Sequence, residues 1–139
     1  MSVTPLAAAY ARLAADPRWM GSGPLQDPAG LEQAVGRPLP DELYWLYGRI
    51  AGGEWSGRRT VQVLSPGRFA RVNTGIFHDY LPEMVAFATD GGPSIYFLDP
   101  EGLLRQGPGA VWQVPAGVLG RDTARVIAPD LAGFFGWMA

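Results

Sequence analysis

One histidine, thirteen carboxylates and no cysteine make up most of the reactive inventory of these 139 residues. His78 precedes Asp79, and a base beside a carboxylate that orients it is the kernel of a nucleophilic triad. The nucleophile is missing: a serine elbow needs flanking glycines, and "GEWSG" lacks the one two places before Ser56. His78 therefore reads as a surface loop histidine. With no thiolate and one imidazole, the chain cannot build a cysteine or multi-histidine zinc site, so no metal is expected. Asp90 and Asp99 bracket a predicted hairpin and could meet as an acid and base pair. Spacing alone does not bring them together, and each is explained as a turn residue whose carboxylate bonds nearby backbone N–H groups. The glycine patterns "GSGPLQ" from Gly21 and "GPGAVW" from Gly107 both lack the third glycine of a dinucleotide fingerprint. All 11 basic residues are arginine, so a phosphate loop has no lysine. No catalytic residue and no cofactor is assigned.

Charge and composition narrow the classes further. A net charge of -2, with basic residues scattered singly apart from Arg58-Arg59, argues against a nucleic-acid stripe. At 47% hydrophobic, the chain fits one domain over residues 1–139 that stands on packing without disulfides. The absence of cysteine suits a cytoplasmic protein. "MSVTPLAAAYARLAADP" has no basic residue ahead of its alanine-rich stretch, unlike a signal peptide. No run approaches the ~18 apolar residues of a membrane span.

The elements that would carry any site follow from period and punctuation. Thr4-Pro5 caps a helix with Leu6, Tyr10 and Leu13 on one face, stopped at Asp16-Pro17. "RWMGSGPLQ", residues 18–26, has no period and reads as a loop. Asp27-Pro28 opens a short helix closed by Gly36. Pro40, Asp41 and Glu42 open a third helix with Leu43, Leu46, Tyr47 and Ile50 in step, ended by Gly52-Gly53. Beyond residue 57 the period turns towards two, and "TVQVLS", "RFARV" and "EMVAFAT" read as strands. "TDGGP" turns into "SIYFLD", whose apolar run suggests a central strand covered on both faces. Asp99-Pro100-Glu101-Gly102 fits a type I turn, and "AVWQV" is a further strand. Pro129 opens a closing helix carrying Leu131, Phe134, Phe135 and Met138, weakened by Gly133 and Gly136. The order predicts an α+β fold: an antiparallel sheet of about four to six strands, flanked by N-terminal helices and one C-terminal helix.

Two tryptophans stand apart from this pattern. On a helical wheel Trp45 lies about 200° from Leu43, on the face that carries Asp41, Gly48 and Arg49. An exposed indole forgoes several kcal/mol of burial at about 25 cal/mol/Å², so either the first helix, the Trp19 loop or a partner should cover it. Trp55 poses the same choice beside Glu54, Arg58 and Arg59. Trp45, Arg49, Glu54, Trp55, Arg58 and Arg59 are the candidate partner-binding residues, with the two tryptophans expected to matter more to binding than to folding.

Three segments stand in order along the chain: "LEQAVGRPLPDELYWLYGRIAGGEW", "MVAFATDGGPSIYFLDPEG" and "VIAPDLAGFFGWM". Together they resemble the SUKH superfamily, which includes fungal cell-wall-synthesis regulators and bacterial toxin-immunity proteins. The matching positions are Gly36, Leu39, Pro40, Gly52, Gly53, Asp90, Gly91, Gly92, Asp99, Gly102 and Phe135. The chain departs from the pattern at Ala51, where asparagine is common, and at Pro93 after the glycines. The resemblance implies a non-catalytic domain that binds protein, and in the bacterial branch an immunity protein that neutralises a cognate toxin. The alternatives are a regulatory or scaffold module that binds a cellular protein or small ligand, and an enzyme. The composition speaks for no nucleic-acid partner and no membrane partner.

Overall fold

The computed structural model describes residues 4–25, 27–28 and 30–139, and of Thr4 only the backbone. The capping role expected of the Thr4 side chain and the loop position of Gln26 lie outside the described residues.

Among the described residues, seven strands form one antiparallel sheet in which every strand pairs with its neighbours in sequence: β1 (Trp19–Gly21), β2 (Gly53–Ser56), β3 (Thr60–Val63), β4 (Val85–Thr89), β5 (Ser94–Asp99), β6 (Ala110–Pro115) and β7 (Arg125–Ala128). Six helices among the same described residues accompany it: α1 (Thr4–Ala14), α2 (Gly30–Val35), α3 (Asp41–Tyr47), α4 (Pro66–Thr74), α5 (Ile76–Tyr80) and α6 (Leu131–Met138). The α+β fold is as the sequence predicts, with one strand more than the expected upper bound.

Three strands go beyond those read from the period: β2, β7 and, within the stretch read as a loop, β1. The three residues of β1 show no period, and they are extended because Trp19, Met20 and Gly21 pair with Trp55, Glu54 and Gly53. A second correction concerns "RFARV". Ser65 adopts an extended conformation before Pro66 at the first helical turn, and residues 66–74 form α4, not a strand. α5 follows directly after Gly75, so His78 is helical, not in a loop. The third helix ends at Tyr47, earlier than expected, and Ile50 is buried from the turn after it.

The glycine pair at residues 52 and 53 begins the sheet instead of ending the helix. Gly52 has φ +131, a conformation open to glycine at little cost. Gly53 sits where a Cβ would lie 2.7 Å from the Trp19 ring. Its missing side chain lets the indole cross the β1–β2 pair.

Alternation along the strands splits the core in two. On one face Val61, Val63, Val85, Phe87, Tyr96, Leu98 and Val111 meet α1, α3, α6 and Phe69 of α4. On the other, Ala86, Phe97, Trp112 and Val114 are covered by Phe77 of α5, Leu81 and Met84, with Leu104 and Leu119 from two loops. β5, flanked by β4 and β6, feeds both clusters, which accounts for its continuous apolar run.

A side chain completes the sheet where β3 ends. β3 pairs with β4 only at residues 62–63, leaving Ala86 without a strand partner on that side. The buried Asn73 of α4 fills the place: its Nδ2 donates to the Ala86 carbonyl and its Oδ1 accepts from the Ala86 N–H, each at 2.9 Å. Both backbone groups are thereby satisfied next to the irregularity between Ala86 and Ala88.

Candidate functional site

Asp90 and Asp99 sit at opposite ends of β5, so they form no acid and base pair. Asp99 is buried and accepts from the backbone N–H groups of Leu103 and Leu104 at 3.0 and 2.8 Å. Asp90 Oδ1 accepts from Gly92 and Ser94 at 2.8 and 3.1 Å. Each carboxylate shapes its own turn, as the turn reading requires.

The six candidate binding residues are not brought to one place. Trp45 is half-buried: Tyr10 of α1 meets it edge to face at 5.8 Å, and Arg49 stacks over its ring at 4.0 Å. Helix α1 is thus its cover, one of the alternatives left open by the sequence. Trp55 corrects the expectation of an off-core ring. It is only 1% exposed, because strand alternation turns it inward beneath α1 and α6, with Arg18 4.6 Å above it. Its indole forms part of the wall of a cavity of about 370 Å³ between α1 and α6, beside Arg12, Leu13, Asp16 and Phe135. Within that wall Arg18 donates to Asp16 at 2.7 Å and holds the Asp16 carboxyl down at about 2. Glu54 alternates with Trp55 and so faces the other side of the sheet, where Gln62 donates to it at 2.9 Å. Arg58 and Arg59 are exposed in the β2–β3 turn.

Arg59 instead joins residues the sequence did not single out. The β2–β3, β4–β5 and β6–β7 turns lie at one end of the sheet, and a groove of about 340 Å³ opens there, lined by Arg59, Thr60, Asp90, Tyr96, Gln113, Arg125 and Trp137. Register builds its floor: Tyr96 pairs with Gln113 and Gln113 with Arg125, so three polar side chains stand in a row across β5, β6 and β7. Helix α6 supplies the wall, because Trp137 packs on Tyr96 at 5.7 Å. The Arg59 guanidinium lies 4.2 Å over the Trp137 ring and donates to its carbonyl at 3.0 Å. Arg125 Nε donates to Gln113 Oε1 at 3.0 Å.

Inside the groove Tyr96 is 2% exposed, and its hydroxyl makes no hydrogen bond to the described residues and opens onto the groove. Burial raises its pKa, and the Asp90 carboxylate adds to the effect, with Arg59 and Arg125 opposing it. The phenol therefore stays protonated at neutral pH and is available as a donor. Arg59 and Arg125 form no ion pair among the described residues, whose salt bridges are Arg18 with Asp16 and Arg121 with Glu83. Arginine on tryptophan at the rim and unpaired donors in the groove are the materials of recognition.

A protein-family model described as the SMI1 / KNR4 family (SUKH-1) matches residues 25–137. The chain belongs to that family. All three segments that carry the resemblance fall within the match except Met138. In this SUKH-1 chain the Gly-Gly pair, the Asp90 turn and the Asp99 turn each have a structural task. Family membership supports a non-enzymatic binding module. No curated protein matches the chain. Among the described residues, no helix is long and apolar enough to cross a membrane.

The groove residues left a faint trace in the sequence. Alternation in "SIYFLD" places Tyr96 on one face with Ser94 and Leu98, but Gln113 and Arg125 join it only through register.

Proposed function

We propose that this chain is an immunity protein that binds a cognate bacterial toxin directly and neutralises it in the cytoplasm of the producing cell. The observation that carries this reading is the preorganised arginine-on-tryptophan rim around the helical face: Arg49 on Trp45 and Arg59 on Trp137. Planar cations held flat on indoles lose little rotamer freedom on association, and Trp and Arg are the side chains most enriched among energetically dominant interface residues. The SUKH-1 match supports a binding module, and the toxin-neutralising role is what the sequence resemblance implies for the bacterial branch. Trp45, Arg49, Arg58, Arg59 and Trp137 form the proposed contact surface. Glu54 and Trp55 are left out of it, one on the far side of the sheet and the other beneath the helices.

The test is co-expression with the toxin encoded beside the chain's own reading frame. Restored growth, together with a complex that co-purifies, is the expected result. Arrested growth with no complex would end the immunity reading, and capture of an unrelated cellular protein on the same rim would replace it with a regulatory one.

A further inference from the structure

The groove at the turn end of the sheet carries more donors than the fold uses. Arg125 spends one N–H on Gln113, and Arg59 spends one on Trp137, leaving both guanidinium groups with free donors that face a common space. The Tyr96 hydroxyl, the Gln113 amide and the Thr60 hydroxyl line the same space. The Tyr96 ring is 2% exposed while its hydroxyl makes no hydrogen bond among the described residues, so its proton is free for a ligand that displaces water from the groove.

Charge selects what enters. Two arginines less Asp90 give the groove a net charge of about +1, which a monoanion balances. A phosphate, carrying a charge of roughly -1.5 to -2 near neutral pH, would overshoot and face the Asp90 carboxylate. A carboxylate instead places two oxygens against planar guanidinium donors. Shape selects the carrier. The groove is open to solvent and continues through Gln113 and Arg125 into a second hollow of about 180 Å³ lined by Ser94, Pro115 and Thr123. A chain can therefore run on from the acid toward that hollow.

We propose that this groove takes the side-chain carboxylate of an Asp or Glu on a partner protein, held between Arg59 and Arg125 with the Tyr96 hydroxyl donating to it. This rests on the protein-binding reading above and names the chemistry of one contact in it. Asp90, the single acceptor in the lining that carries charge, then faces a backbone N–H of the same partner segment.

The experiment titrates the 15N-labelled full chain with acetyl-Ala-Ala-Glu-Ala-Ala-amide and follows the Trp137 indole N–H signal. The expected result is a saturable shift at millimolar peptide that the Gln counterpart does not produce. Arg125→Gln weakens it about tenfold, the loss of one charge-assisted hydrogen bond. Tyr96→Phe, which keeps the ring, weakens it by less. Asp90→Asn keeps its turn-forming oxygen and tightens the Glu peptide severalfold, an effect that a purely structural role would not give. Equal shifts from the Glu and Gln peptides, or none from either, overturn the proposal. So does saturation by glutarate or inorganic phosphate without saturation by the Glu peptide, since the ligand would then be a small anion. None of these failures touches growth rescue or co-purification with a toxin, which test the broader reading separately.

Discussion

Two arginine-on-tryptophan stacks, Arg18 over Trp55 and Arg49 over Trp45, share a chemistry but not a place. Trp55 belongs to a strand whose inner face is roofed by α1 and α6, and its ring is almost wholly buried, with the cavity between those helices on one side. Trp45 belongs to the outer part of α3, half-buried, with Tyr10 against it edge to face and the exposed Arg49 over its ring. Cation on indole is thus no marker of a binding site by itself. Depth decides whether the pair holds the fold together or waits at its rim.

The difference can be broken most severely at the interior. Trp55→Ala should cost about 3–5 kcal/mol in urea unfolding, as for other buried tryptophans, and any lost partner affinity should follow from lost folding. A fully stable Trp55→Ala protein that no longer binds would reverse the assignment. Next in size is Asn73→Leu, which strips both backbone bonds at Ala86 and should lower stability by about 2–4 kcal/mol. A shift in the urea midpoint too small to measure would show that water or the bulge replaces those bonds. The rim should respond least: Arg49→Ala removes one exposed stack and should cost no more than about 1 kcal/mol of stability. A larger loss would place Arg49 with the interior group.

How far the sequence could be read follows the same division. The start and buried face of α3 are legible because Pro40 opens it and its apolar residues repeat at helical spacing, whereas its end at Tyr47 and the turn into β2 at Gly53 are not. Asp90 and Asp99 were legible because turn residues act on their own neighbours. Trp55 was misplaced because its orientation is set by strand parity after Gly53, where the helical wheel used for Trp45 no longer applies. α4 was mistaken for a strand although Ser65-Pro66 carries the same kind of start signal that marked α2 at Asp27-Pro28. The groove was hidden for a deeper reason. Tyr96, Gln113 and Arg125 lie on three strands, and their meeting is a property of hydrogen-bond register that no single segment contains.

The strand order has one further outcome. Every sheet pairing joins consecutive strands, around α2 and α3 for β1–β2, around α4 and α5 for β3–β4 and over loops for the rest, which keeps the loop-closure entropy modest. The packing of α1 on α6 is the exception, since it unites elements from opposite extremes of the polypeptide. That clasp is where the long-range entropic cost concentrates, and it roofs the inner face that holds Trp55, so peeling α1 away would unlatch this face while leaving every strand still paired.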